Sequence, residues 1–155
     1  MKSLLLVALL IVTYPLFAEE KNYGDVIVSK VESVHDGDTI TVTINKWPTI
    51  TGERIPVRID GVDTPEINGD CPLEKELAQK AKQFTITFLQ TDKRIYLRKM
   101  KRDKYFRILA DVTIGTRSLS QELISSGLAK AYSGGKKESW CGISTISTEI
   151  VLSNN

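Results

Sequence analysis

The run TITVTI at 39–44 alternates threonine with Ile40, Val42 and Ile44. An alternation with period two can bury one face only if the chain is extended, because successive strand side chains point to opposite sides. Residues 25–34 are also rich in β-branched side chains, and HDGD stands between the two runs. Asp-Gly between two strand-like segments marks a hairpin. After the loop NKWPTITGE, Arg54–Asp60 predicts a third strand. The period then changes. From Pro72 onward Leu73, Leu77, Ala81, Phe84 and Phe88 recur every three or four residues and share one helical face. Pro72 suits the first helical position, and Glu74 and Glu76 suit the positive end of the helix dipole. Lys93–Met100 and Tyr105–Ile114 read as two more strands. Ser118 and Gln121 predict a capping box ahead of Leu123 and Ile124, Gly127 is placed to end that helix, and Leu128–Tyr132 reads as a short return segment. Five short antiparallel strands and two to three helices predict an α+β fold on a small five-stranded oligonucleotide/oligosaccharide-binding (OB-type) β-barrel.

The 155 residues suffice for one domain. Residues 1–18, MKSLLLVALLIVTYPLFA, have a lysine, an apolar run, Pro15 and a terminal Ala18, the layout of a cleaved leader. The expectation is export to a periplasmic or secreted location, with a domain at 19–155, its barrel core at about 24–132 and a tail at 133–155. A monomer without stable membrane association after cleavage is expected. Cys71 and Cys141 are the two cysteines, so one intramolecular pairing is possible. An oxidising compartment favours the bridge over two free thiols, and closing that loop stabilises by about 4 kcal/mol in the chain-entropy model. With no CxxC and with His35 as the sole histidine, a zinc centre is not indicated. Net charge is +2, so affinity for a polyanion must come from local clusters.

The charged residues inside VRIDGVDTPE (57–66) are the chemical oddity, since charges ordinarily avoid strands that pack a core. Asp60, before a glycine, reads as a solvated loop charge, and Asp36 as a turn residue. Asp38 is not required by the turn. Asp63 precedes Thr64-Pro65, and proline holds Thr64 extended, fixing a carboxylate and a backbone carbonyl relative to each other. Hard cations take several oxygen ligands of this kind, although spacing alone does not make a metal site. Alternation turns Arg58 away from Val57 and Ile59, toward a cleft. Arg107 lies in KRDKYFRILADV, alternating with Ile108 and Ala110. Guanidinium forks match phosphate oxygens. Two of them beside a carboxylate and a cation are the parts of phosphodiester hydrolysis, and ordinary surface charge and salt bridges are the competing reading.

DGDT at 36–39, RIDGVDTPE at 58–66, DKYFRILADV at 103–112 and GLAKAY at 127–132 together resemble the staphylococcal nuclease (thermonuclease) family. The resemblance runs from about Val26 to Tyr132 and implies an OB-type barrel with helices. It implies Asp38 and Asp63 as Ca²⁺ ligands with the Thr64 carbonyl, and Glu66 as the general base or the group that orients water. Arg58 and Arg107 would grip the scissile phosphate. Lys104 and Tyr105 would meet a terminal phosphate, and Tyr132 the base and sugar. The implied activity is hydrolysis of DNA and RNA at the 5′ P–O bond, leaving 3′-phosphates. Exported relatives with a cysteine after DTPE and a late Trp-Cys support the Cys71–Cys141 bridge. The chain departs from the family at Phe106, where glycine is usual, and in a shortened tyrosine segment. A non-catalytic OB module that binds single strands, and a domain using Ca²⁺ only for stability, are the alternative readings.

Overall fold

The computed structural model describes residues 21–142, so the expected leader at 1–18 and the chain after Gly142 lie outside the described residues. The strands are β1 (Val26–Ile27), β2 (Lys30–Val34), β3 (Thr39–Thr43), β4 (Ile55–Ile59), β5 (Val62–Asp63), β6 (Ile95–Arg102), β7 (Ile108–Ile114), β8 (Arg117–Ser118) and β9 (Lys130–Ala131). The helices are α1 (Thr49–Gly52), α2 (Pro72–Leu89) and α3 (Leu119–Ser125). The expected loop after β3 therefore contains one helical turn. The five strands of five or more residues, β2, β3, β4, β6 and β7, are the five read from sequence.

Strand order in the main sheet is β1-β6-β7-β4-β3-β2, and its pairs are antiparallel except β4 with β7. β1 and β2 are consecutive in the chain but stand at opposite ends of that order. The expected single strand at 25–34 switches partners midway: Val28 N–H donates to the Ile95 carbonyl and Ser29 N–H to the Thr43 carbonyl, each at 2.9 Å. That switch joins the two sheet edges and produces the OB-type barrel. Ile40, Val42, Val57, Ile59, Leu97, Ala110 and Val112 fill it and are fully buried. The alternation of β3 is thus satisfied, with Ile40 opposite Val57 and Val42 opposite Ile55.

α2 packs on a face rotated from the expected one. Ala81 and Phe88 of the expected face are buried, but Leu73, Leu77 and Phe84 are half-buried, and Glu74, Ala78, Thr85 and Leu89 are buried beside them. Small side chains let the helix approach the loops below it, and Glu74 and Thr85 bury because their polar atoms find partners there. The capping box at α3 does not form: the Ser118 hydroxyl donates to Asp111 Oδ1 at 2.7 Å, and no side chain caps the helix. Leu123 is buried as expected, but Ile124 is 40% exposed. Gly127, in the left-handed region at φ +68°, ends α3 as predicted.

Candidate active site

Asp38 sits at the end of the β2–β3 turn. Asp36 Oδ1 accepts the Asp38 N–H at 3.1 Å, so Asp36 shapes the turn and leaves the second carboxylate free to point inward. The turn is pressed onto α2. A Cβ on Gly37 would lie 2.7 Å from Ala81 Cβ and from Thr64 Cγ2, so only glycine fits. The buried Thr85 hydroxyl donates to the Gly37 carbonyl at 2.6 Å. Asp38 is 1% exposed as a result.

β4 carries Arg58 on the face opposite Val57 and Ile59, as alternation predicts, but the guanidinium is enclosed rather than open to a cleft. Its Nη1 donates to Asp38 Oδ1, and its Nη2 donates to the Val62 carbonyl at 3.1 Å and Asp63 Oδ1 at 3.4 Å. Asp63 lies on β5, where its backbone pairs with Lys130 of β9. It is 3% exposed. Thr64 N–H donates to Asp38 Oδ2 at 2.8 Å. The two acidic motifs, 25 residues apart, are thereby locked together through Arg58 and one amide. A buried carboxylate pair persists only when paired and hydrogen-bonded, and both conditions hold.

Glu66 stands at the rim, half-exposed, one turn of loop from Asp63. Sequence reasoning missed two residues that surround it. Glu74, buried on the first turn of α2, accepts the N–H groups of Glu66 (3.3 Å) and Asp70 (3.0 Å) and so pins the DTPE loop. Gly69 packs closely beside it: a Cβ there would lie 2.4 Å from the Glu74 carboxylate carbon and would push that side chain off its amide partners. Lys137 Nζ lies 2.8 Å from Asp63 Oδ1 and 2.7 Å from Glu66 Oε1. Burial pulls the Lys137 ammonium down, but its hydrogen bonds and attraction to Asp63 and Glu66 outweigh that and hold it above the ordinary lysine value. A cleft of about 700 Å³ separates the 63–74 segment from the 136–140 segment and opens over these groups.

The second arginine occupies the β6–β7 turn. Parallel pairing sets Arg58 opposite Leu109, and alternation carried back from Leu109 puts Arg107 on the same sheet face as Arg58, one strand away. Its Nε donates to Asp103 Oδ2 at 2.7 Å, and Asp103 Oδ1 accepts the Tyr105 and Arg107 N–H groups. Burial alone would raise the Asp103 carboxyl, but these donors overcome it and hold the group below its ordinary value. Lys104 and Arg107 flank the Tyr105 ring at 5.0 and 5.5 Å from its centroid. Tyr105 and Phe106 are 66% and 80% exposed. Phe106 adopts φ +63°, a conformation that favours glycine. The remaining candidates are placed as follows. Tyr132 is half-buried after β9, and its hydroxyl donates to the Gly135 carbonyl at 2.9 Å. His35 is exposed and shares a 2.8 Å hydrogen bond with the Thr41 hydroxyl. Cys71 and Cys141 form a disulfide.

The sequence profile of the staphylococcal nuclease homologue family matches residues 56–141. The chain belongs to the staphylococcal nuclease family. Within it, a thermonuclease of Staphylococcus hyicus is 36% identical over 104 residues, covering 66% of this chain and 57% of that protein. An uncharacterized endonuclease of Haemophilus influenzae is 30% identical over 133 residues, 84% of this chain and 65% of its own length. A probable endonuclease of Colletotrichum graminicola is 29% identical over 136 residues, 75% of this chain and 50% of its length. The chain thus spans between half and two thirds of each of these relatives.

The donor set suits a hard divalent cation. Asp38 and Asp63 supply buried carboxylate oxygens beside the Thr64 backbone, Glu66 adds a third carboxylate at the rim, and Arg58 and Lys137 offset two of the three negative charges. Net negative charge on closely placed oxygen donors is the chemistry that hard divalent cations take.

Proposed function

We propose that the chain is an exported phosphodiesterase acting as a monomer, which hydrolyses DNA and RNA at the 5′ P–O bond and leaves 3′-phosphates. The observation that carries this reading is the convergence of Asp38, Arg58, Asp63 and Thr64 in one buried cluster with Glu66 at its open edge. Asp38, Asp63 and the Thr64 carbonyl would hold Ca²⁺, which supplies Lewis-acid stabilisation of charge on the phosphate. Arg58 commits three of its five N–H groups to Asp38, Val62 and Asp63, and the remaining two would have to meet phosphate at the edge of the enclosed guanidinium. Arg107 approaches the same phosphate from the neighbouring strand. Glu66 orients the attacking water and takes its proton. Lys104 and Tyr105 receive a terminal phosphate, and Tyr132 packs against base and sugar. Export agrees with the Cys71–Cys141 bridge, which an oxidising compartment preserves.

The test is a gel assay on denatured DNA and on RNA with Ca²⁺ or with chelator. Cleavage only with Ca²⁺, and a loss of about 100-fold or more in kcat for Glu66→Gln with the fold retained, is the expected result. A shifted but intact band means a binding module instead, and wild-type turnover by Glu66→Gln removes that residue's role.

A further inference from the structure

Residues 133–139 run as a strap over the carboxylates, anchored on both sides. Before it, β9 pairs with β5 and the Tyr132 N–H donates to the Gly61 carbonyl at 2.9 Å. After it, Lys130 Nζ donates to the Ser139 carbonyl at 2.8 Å and lies 4.7 Å from the Trp140 ring centroid. Trp140 is buried, and Cys141 is bonded to Cys71 at the start of α2. Between these anchors Gly134 and Gly135, at φ +104° and +91°, reverse the chain. Lys137 then reaches inward to Asp63 and Glu66.

We propose that Lys137 is a built-in cation that competes with the divalent metal for Asp63 while resting against Glu66, so that the strap sets the metal concentration at which the site fills. The inference rests on the calcium reading above. Asp38, Asp63 and Glu66 against Arg58 leave two unbalanced negative charges, and the ammonium cancels one of them. An ammonium and a divalent ion on the same Asp63 oxygen repel strongly at contact range. The lysine stem is long and its side chain is 43% exposed, so it can swing into solvent as the metal enters. The disulfide holds the strap in place, which keeps the ammonium at high effective concentration over the carboxylates. Lys137 is thus a positioning residue that controls occupancy and lies outside the set that acts on phosphate.

Calcium titration calorimetry on the full folded chain tests this, with circular dichroism checking that each variant remains folded. Lys137→Met is expected to bind Ca²⁺ about tenfold more tightly than wild type, and Lys137→Arg, which keeps the charge, within about threefold of it. Cys71→Ser with Cys141→Ser tightens binding when Lys137 is present and changes it little in the Lys137→Met background. If that double variant does not fold, the Met and Arg variants decide. Equal or weaker Ca²⁺ binding by Lys137→Met, with wild-type binding intact, overturns the competition and leaves the metal site standing. Absence of Ca²⁺ binding in every variant overturns the calcium reading and the competition together.

Discussion

The two arginines proposed to meet phosphate are held in opposite ways. Arg58 is fixed both by Asp38, 20 residues away at the β2–β3 turn, and by the nearby Val62 carbonyl and Asp63, in a cluster where Asp38 and Asp63 are almost without solvent. Arg107 is held by Asp103, four residues away, on a turn that exposes two aromatic rings. The first arrangement needs the whole barrel to exist. The second needs only its own hairpin. A buried ion pair is costly to break but fixes geometry closely, whereas a half-buried pair within one turn contributes less and lets the side chain change partners. The contrast suits a site whose metal ligands must be preorganised while its substrate contacts adapt.

The contrast can be broken most directly at Arg58. Arg58→Met leaves buried carboxylates without their guanidinium, and we expect a loss of about 3–5 kcal/mol in urea unfolding at neutral pH. A loss below about 1 kcal/mol would mean that the acids reach solvent and that the two halves do not differ. Arg107→Lys sharpens the other side. Its unfolding free energy should stay within about 0.5 kcal/mol of wild type, while kcat on denatured DNA falls by about 100-fold as the planar fork is lost. Unchanged kcat would remove Arg107 from the site. The smallest effect is expected at the hairpin tip, where Phe106→Gly relieves a left-handed phenylalanine. Allowing for the entropy that glycine adds to the unfolded chain, the gain is about 0.5–1 kcal/mol, read as a higher Tm. A lower Tm would show that the Phe106 ring stabilises the fold.

Local pattern made much of this fold readable. The alternation at Ile40, Val42 and Ile44 and the Asp-Gly turn place β3 and its hairpin correctly, because one face of that strand is wholly buried. Along α2 the periodicity places Ala81 and Phe88 correctly but ranks Leu73, Leu77 and Phe84 above Glu74 and Thr85. The helix instead buries polar atoms that serve neighbouring loops. Ser118 shows the same limit, since a hydroxyl suited to a cap was taken by Asp111 across a strand pair. Asp38, Arg58, Asp63 and Thr64 stood out as charges or oxygens misplaced for a strand-rich segment, and the fold does bring them together. Lys137 and Glu74 carried no such mark. Each looks like an ordinary surface charge, and each acquires its place only through contacts made by the folded chain, more than 70 residues away for Lys137 and Asp63.

One helix touches both acidic loops. Near its first turn α2 holds the DTPE segment through Glu74, and farther along it seats the Asp-Gly turn through Ala81 and Thr85. A tilt of α2 about either contact displaces the other loop and so changes the spacing between them. Any ligand, partner or substitution that leans on the outer side of this helix therefore has mechanical leverage over the spacing of the entire acidic pair, from a surface remote from it.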